Sequence, residues 1–291
     1  MVENALRNNP QKDHGIRFRF QAFLDSVGLV VVLVLLILFF GVKTDHFLTA
    51  ATFRTIANQV PDAIVIAVGM TLVLIIGGID LSVGSVLALS GAILGVGLTR
   101  LGWSLPVAMG VSLLVGVMCG AVNGAVVIFW NLPSFIVTLG MLEAARGGAY
   151  LIARSQTQYI GAVLDRLAVP VMFGLSVSFL FSLLIAAGAQ FFLSYTAHGR
   201  HLYALGANEE SARLSGIPTR RLKFAVFTFA GFLSALAALM YCARLSAANP
   251  NDAQGYELQA IAAVVIGGTS LMGGRGSVVN SVLGVLIIKV L

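Results

Sequence analysis

YTAHGRHLYALGANEESARLSGIPTRRLK, residues 195–223, is the one long charged interruption in a chain that is otherwise almost wholly apolar. It lies between two apolar blocks, 168–193 and 223–243. Each is long enough to cross a bilayer, which takes about 20 mostly apolar residues. From Tyr203 onward the apolar Leu205, Ala212, Leu214 and Ile217 alternate with the polar Asn208, Glu209, Glu210 and Arg213. Gly216 tolerates a left-handed cap and Pro218 cannot continue a helix, so both stop one. The pattern predicts a short helix of about two to three turns lying along the membrane. A helix that merely rests on the lipid surface would read similarly. Against that, Glu209 and Glu210 would be repelled by an anionic leaflet. The segment therefore reads as a docking element, pushed on by something on its own side of the membrane.

The rest of the chain sets the class. At 58% hydrophobic and 10% charged, it is too apolar for a soluble domain of this length. Its 32 glycines, spread through apolar runs, suit close helix packing in lipid. The net charge of +6 is no nucleic-acid footprint, because the basic residues flank apolar blocks. Cys119 and Cys242 each lie inside an apolar run and read as packing thiols, not a disulfide framework. The first apolar block has no small-residue cleavage site after it and reads as a retained span.

The expectation is an all-α integral membrane protein, a polytopic helix bundle. Its spans are expected near 24–42, 60–77, 82–99, 105–130, 134–153, 168–193, 223–243, 258–272 and 276–291. That is about nine spans, and the abrupt apolar end at Leu291 implies a tenth in the complete protein. The fourth span is long enough to tilt or break, and the eighth is short and ends in a glycine cluster. Residues 1–23 form an N-terminal tail and 24–291 a transmembrane domain that includes the loop 194–222. Ten Lys and Arg fall on the side of the tail and that loop, against six on the other. The positive-inside bias therefore places the N-terminus and the loop in the cytoplasm.

One internal echo is visible. VLIIGGIDLSVGSV (73–86) resembles VVIGGTSLMGGRGSV (264–278). Paired glycine-broken helices point to a transport pathway, or equally to two tight turns between packed helices. Near the first break, Asp80 reads foremost as a helix-junction cap, with substrate or ion contact as the alternative. Glu143 and Arg146 share a helix face at i,i+3 and can pair, either lining a pathway or holding helices in register. Asn123 is expected to bond across helices, and Thr138 to a carbonyl of its own helix. Both are candidates for the pathway or junction. No His-Glu-x-x-His, G-x-S-x-G or phosphate-loop motif occurs, and no metal site is expected. Any energy for active transport must come from an ion gradient or from a partner that hydrolyses ATP.

Three stretches carry a family resemblance: GMTLVLIIGGIDLSVGSVLALSG (69–91), YALGANEESARLSGI (203–217) and GYELQAIAAVVIGGTSLMGGRGS (255–277). Together they closely resemble the permease subunits of ribose-type sugar ABC importers, from about residue 47 onward. The resemblance implies alternating access by two permeases, as a homo- or heterodimer, in the bacterial inner membrane. It implies an ATPase partner, usually a tandem cassette, that binds ATP and magnesium, and a periplasmic binding protein that delivers a monosaccharide. No cofactor is expected in this chain, which is not an enzyme. The ATPase-coupling segment would be 204–217, with Leu205 and Leu214 as apolar anchors, Asn208, Glu209, Glu210 and Arg213 around them, and Gly216 as the stop. Members often carry an acid at the position of Gln259, and an uncharged residue at Glu143. The alternative from a different class is an ion-coupled secondary transporter in which Asp80 and Glu143 are essential.

Overall fold

The computed structural model describes residues 10–291, so the first nine residues of the predicted tail lie outside the described residues. The helices run in order as α1 (Pro10–Lys43), α2 (Ala50–Gln59), α3 (Pro61–Ile75), α4 (Val83–Thr99), α5 (Leu105–Phe129) and α6 (Ser134–Ala153). The short helix α7 (Asp165–Ala168) and the long helix α8 (Val177–Tyr195) flank a small hairpin. The chain then forms α9 (Ala197–Ala207), α10 (Glu209–Leu214), α11 (Thr219–Leu245), α12 (Tyr256–Ile266) and α13 (Val278–Val290). Among the described residues five helices are long and apolar enough to cross a membrane, or six if the bent pair α2–α3 counts as one span. The other predicted spans correspond to the shorter apolar helices α4, α12 and α13.

Helix limits follow local chemistry. Pro61 and Pro106 sit in the first turns of α3 and α5, where a missing N–H costs nothing. The predicted fourth span does not break, since α5 is continuous for 25 residues. The predicted eighth span is shorter than read, because Gly267 and Gly268 end α12 at Ile266. The predicted span 168–193 starts late. Its first residues form the strands β2 (Pro170–Met172) and β3 (Leu175–Ser176), turned by Gly174 at φ +82°. Asn58 of α2 holds that hairpin, donating to the Gly174 carbonyl at 3.0 Å and accepting from Ser176 N at 2.8 Å.

The centre of the bundle is α3, buried on all sides from Ile64 to Ile75. Against it lies α11, which pairs along most of its length with α5. That pairing works because both helices present glycine. A Cβ on Gly120 would overlap the Phe227 carbonyl, and one on Gly231 the Gly116 carbonyl. Close backbone approach replaces the missing hydrophobic drive between helices in lipid. A second pair of strands, β1 (Gln158–Tyr159) and β4 (Ala247–Ala248), closes one end of the bundle. The helix breaks at 76–82 and 267–277 gather at the other end with α9.

Candidate functional site: two broken helices and the polar helices between them

The first break follows α3. Gly77, at φ +74°, donates to the Leu74 carbonyl, and Gly78 to that of Val73, both at 2.9 Å. This is the left-handed closure that a glycine permits at a helix end. The extended stretch beyond it has amides that no helix can satisfy, and buried backbone must find partners. Side chains supply them. Ile79 N donates to Ser134 Oγ (2.9 Å) and Leu81 N to Thr138 Oγ1 (3.0 Å), while Thr138 Oγ1 donates to the Ile79 carbonyl (3.2 Å). Asp80 Oδ1 accepts from Ser82 N at 2.8 Å and from Ser82 Oγ at 2.6 Å. Asn123 Nδ2 of α5 in turn donates to Ser82 Oγ at 3.0 Å.

Three candidates, Asp80 from the break itself, Asn123 from α5 and Thr138 from α6, thus meet on one turn, and all are buried. Thr138 reaches across to another segment as well as to its own helix, where it also contacts the Phe135 carbonyl at 3.4 Å. Asn123 bonds across helices through its amide nitrogen. We expect Asp80→Asn to retain most transport, because its amide oxygen still accepts from both Ser82 donors. Asp80→Leu would leave both unpaired, at a cost of about 1–3 kcal/mol for each buried group. Uptake and detergent-resistant monomer yield, measured together, check this. A well-folded Asn variant with no transport would point instead to ion coupling.

Glu143 and Arg146 behave differently from the expected pair. Arg146 Nη1 donates to the Pro250 and Asp252 carbonyls at 2.7 and 2.8 Å. Those two acceptors turn it into the 249–255 loop. Glu143 is exposed and, among the described residues, makes no ion pair.

The second break repeats the geometry of the first. Gly268, at φ +80°, donates to the Val265 carbonyl at 2.8 Å, and Thr269 N to that of Val264 at 3.1 Å. The echo is displaced by one residue from the sequence match. The left-handed glycine is the first of the pair at 77–78 and the second at 267–268. Gly267 answers a different need, since a Cβ there would come within 2.6 Å of the Asn280 carbonyl oxygen of α13.

Between the breaks sits the polar segment, which is two helices and not one. Asn208 divides them, its Oδ1 capping α10 through Ser211 N at 2.8 Å. Gly216 ends α10 at φ +81°, accompanied by Ile217 N donating to the Ala212 carbonyl at 3.1 Å. Glu210 pairs with Arg213 at 2.7 Å and Glu209 with Lys223 at 2.6 Å. Leu205 does not face a partner. It is only 2% exposed and packs in the chain's own core, whereas Leu214 is 78% exposed.

The structure adds residues that the pattern of apolar anchors missed. Tyr203 Oη donates to the Gly276 carbonyl at 2.8 Å. Gly274 N donates to the Ile75 carbonyl at 2.9 Å. Gly206 fills the remaining space, since a Cβ there would overlap the Ile75 oxygen and lie 2.6 Å from Gly274 N. A Cβ on Gly273 would come within 2.7 Å of the Gly206 carbonyl oxygen and 2.9 Å of Gly77 N. The end of α9 is therefore in backbone contact with both helix breaks. The density of glycine in all three stretches was the signal that could have found this.

The family of branched-chain amino acid transport system permease components matches residues 52–291. The chain belongs to this permease family. The ribose import permease RbsC of Haemophilus influenzae is 39% identical over 95% of this chain and 87% of its own length. RbsC of Escherichia coli K12 is 36% identical over 94% of this chain and 87% of its own. The fructose import permease FrcC of Rhizobium meliloti is 33% identical over 94% and 79%. No solved structure matches the chain. The permease is a transport component and not an enzyme.

Proposed function

We propose that this permease is the membrane subunit of an ABC importer that carries a monosaccharide into the bacterial cytoplasm by alternating access. The observation that carries the reading is the three-way contact of α9 with both helix breaks. An element that touches both breaks can move them together when a partner pushes on it. Similarity over 94–95% of this chain to ribose and fructose import permeases supports a sugar as cargo. In this reading 24–291 form the transmembrane domain, 194–222 face the cytoplasm with the N-terminus, and a second permease copy or relative completes the pathway. A partner ATPase, in the form of a tandem cassette, binds ATP and magnesium. A periplasmic sugar-binding protein delivers cargo at the opposite end. The partner drives the change only to the extent that it binds the two states with different affinity.

One experiment in intact cells tests both drive and orientation. In a background lacking Cys119 and Cys242, a cysteine in place of Tyr159, which is exposed, should label with an impermeant maleimide, and one at 209 should not. In the same cells ATP depletion should stop sugar uptake, while collapse of ion gradients at constant ATP should leave it running. Reversed labelling overturns the orientation. Uptake that survives ATP depletion overturns the ABC reading.

A further inference from the structure

Between α3, α8, α9 and α11 runs an open groove of about 700 Å³. Its walls are apolar, including Ile185, Ala189, Ala225 and Phe229, and His198 is the one polar side chain that lines it. Along α11 the lining extends from Leu222 to Leu236. At 1.5 Å per residue that is about 21 Å, enough to take an acyl chain through one leaflet of a hydrocarbon core about 30 Å thick. The groove therefore opens at span depth, where hydrocarbon is the solvent.

Charge at its mouth selects among lipids. Arg221 lies one turn before Ala225 on the stripe of α11 that lines the groove, and His198 closes the α9 side. Arg200, Arg220 and Arg221 are exposed and, among the described residues, have no ion pair. The nearby acids cannot balance them, because Glu209 and Glu210 are already held by Lys223 and Arg213. The objection that these acids would repel an anionic leaflet is weakened by the same two pairs.

We propose that this groove binds an anionic phospholipid, with an acyl chain along the α8–α11 wall and its phosphate against His198 and Arg221. Because α9 forms part of the groove and also touches both helix breaks, the bound lipid biases the position of the coupling segment. The inference rests on the chain spanning a membrane and not on sugar as cargo, so failure of sugar uptake leaves it standing.

The test uses purified protein in nanodiscs of equal phosphatidylglycerol and phosphatidylcholine, with retained lipid counted by native mass spectrometry. Wild type should retain phosphatidylglycerol in preference, by about fivefold for each basic residue engaged. Arg221→Gln should lower that ratio by about fivefold, with total retained lipid unchanged. Gly188→Phe should lose both lipids. Gly188 lines the groove and its new Cβ meets nothing within 4 Å, so the backbone accepts a side chain there and the ring takes up groove space. A single cooperative unfolding transition confirms that both variants are folded, since loss of a bound lipid itself shifts the midpoint. Equal retention of the two lipids by wild type overturns the proposal. So does wild-type retention by folded Gly188→Phe, or a dimer mass with no retained lipid, which would assign the groove to a second copy.

Discussion

Gly206→Ala is expected to reduce sugar uptake to background while the chain still inserts and accumulates. Gly206 lies inside α9, where alanine in place of glycine ordinarily stabilises by about 1 kcal/mol. Here the added methyl overlaps the Ile75 carbonyl oxygen and crowds Gly274 N, the two atoms that bond each other at 2.9 Å. Both are backbone, so neither can swing aside as a side chain would. Relief requires α9 to move away from the two breaks, at a cost of about 1–3 kcal/mol for overpacking. Gly110→Ala is the matched control, a helical glycine of α5 whose Cβ would meet nothing within 4 Å. It should transport at the wild-type rate. The measurement is uptake alongside thermal unfolding of the purified variants. If Gly206→Ala transports normally, contact between α9 and the breaks does not carry the movement.

Much of the helix layout was legible because proline, glycine and turn residues mark the ends. Span 134–153 coincides with α6, and 105–130 overruns α5 by one residue. What failed to read was apolar sequence that is not helix. Residues 168–176 carry the same side-chain chemistry as the span that follows, yet Pro170 and the left-handed Gly174 bend them into a hairpin. Hydropathy cannot separate the two, since the deciding bonds come from Asn58, more than a hundred residues away. The junction was half legible. Asp80 stood out as a carboxylate between apolar blocks, and Asn123 and Thr138 as polar residues in spans. That all three close on one turn depends on packing of α4, α5 and α6. Leu205 was misread because alternation along a short amphipathic segment shows which residues share a face, and not whether that face meets a partner or the chain's own core. Glu143 and Arg146 were misread for a related reason: i,i+3 spacing permits a pair, but two carbonyls on the 249–255 loop outcompete it.

Leu214→Asp is expected to abolish uptake by releasing the ATPase. With Leu205 turned inward, Leu214 is the apolar residue that α10 leaves to a partner, 78% exposed, while the helix's other apolar residue, Ala212, is buried. The pairs of Glu210 with Arg213 and Glu209 with Lys223 surround it with fixed charge. Such a rim sets register and contributes little affinity, whereas loss of a central apolar anchor costs about 2 kcal/mol or more. That is about thirtyfold in binding. Because the residue is exposed in the free chain, the substitution should change stability by no more than about 0.5 kcal/mol. Leu205→Ala makes the contrast. It removes buried volume, and a large-to-small change in a core costs about 2–5 kcal/mol of stability. The two variants therefore fail by different routes, one losing its partner and the other its fold. Copurified ATPase, uptake and unfolding temperature, measured on the same membranes, separate them. If Leu214→Asp loses the ATPase and still imports sugar at the wild-type rate, the permease is not driven through α10 and the ABC reading falls.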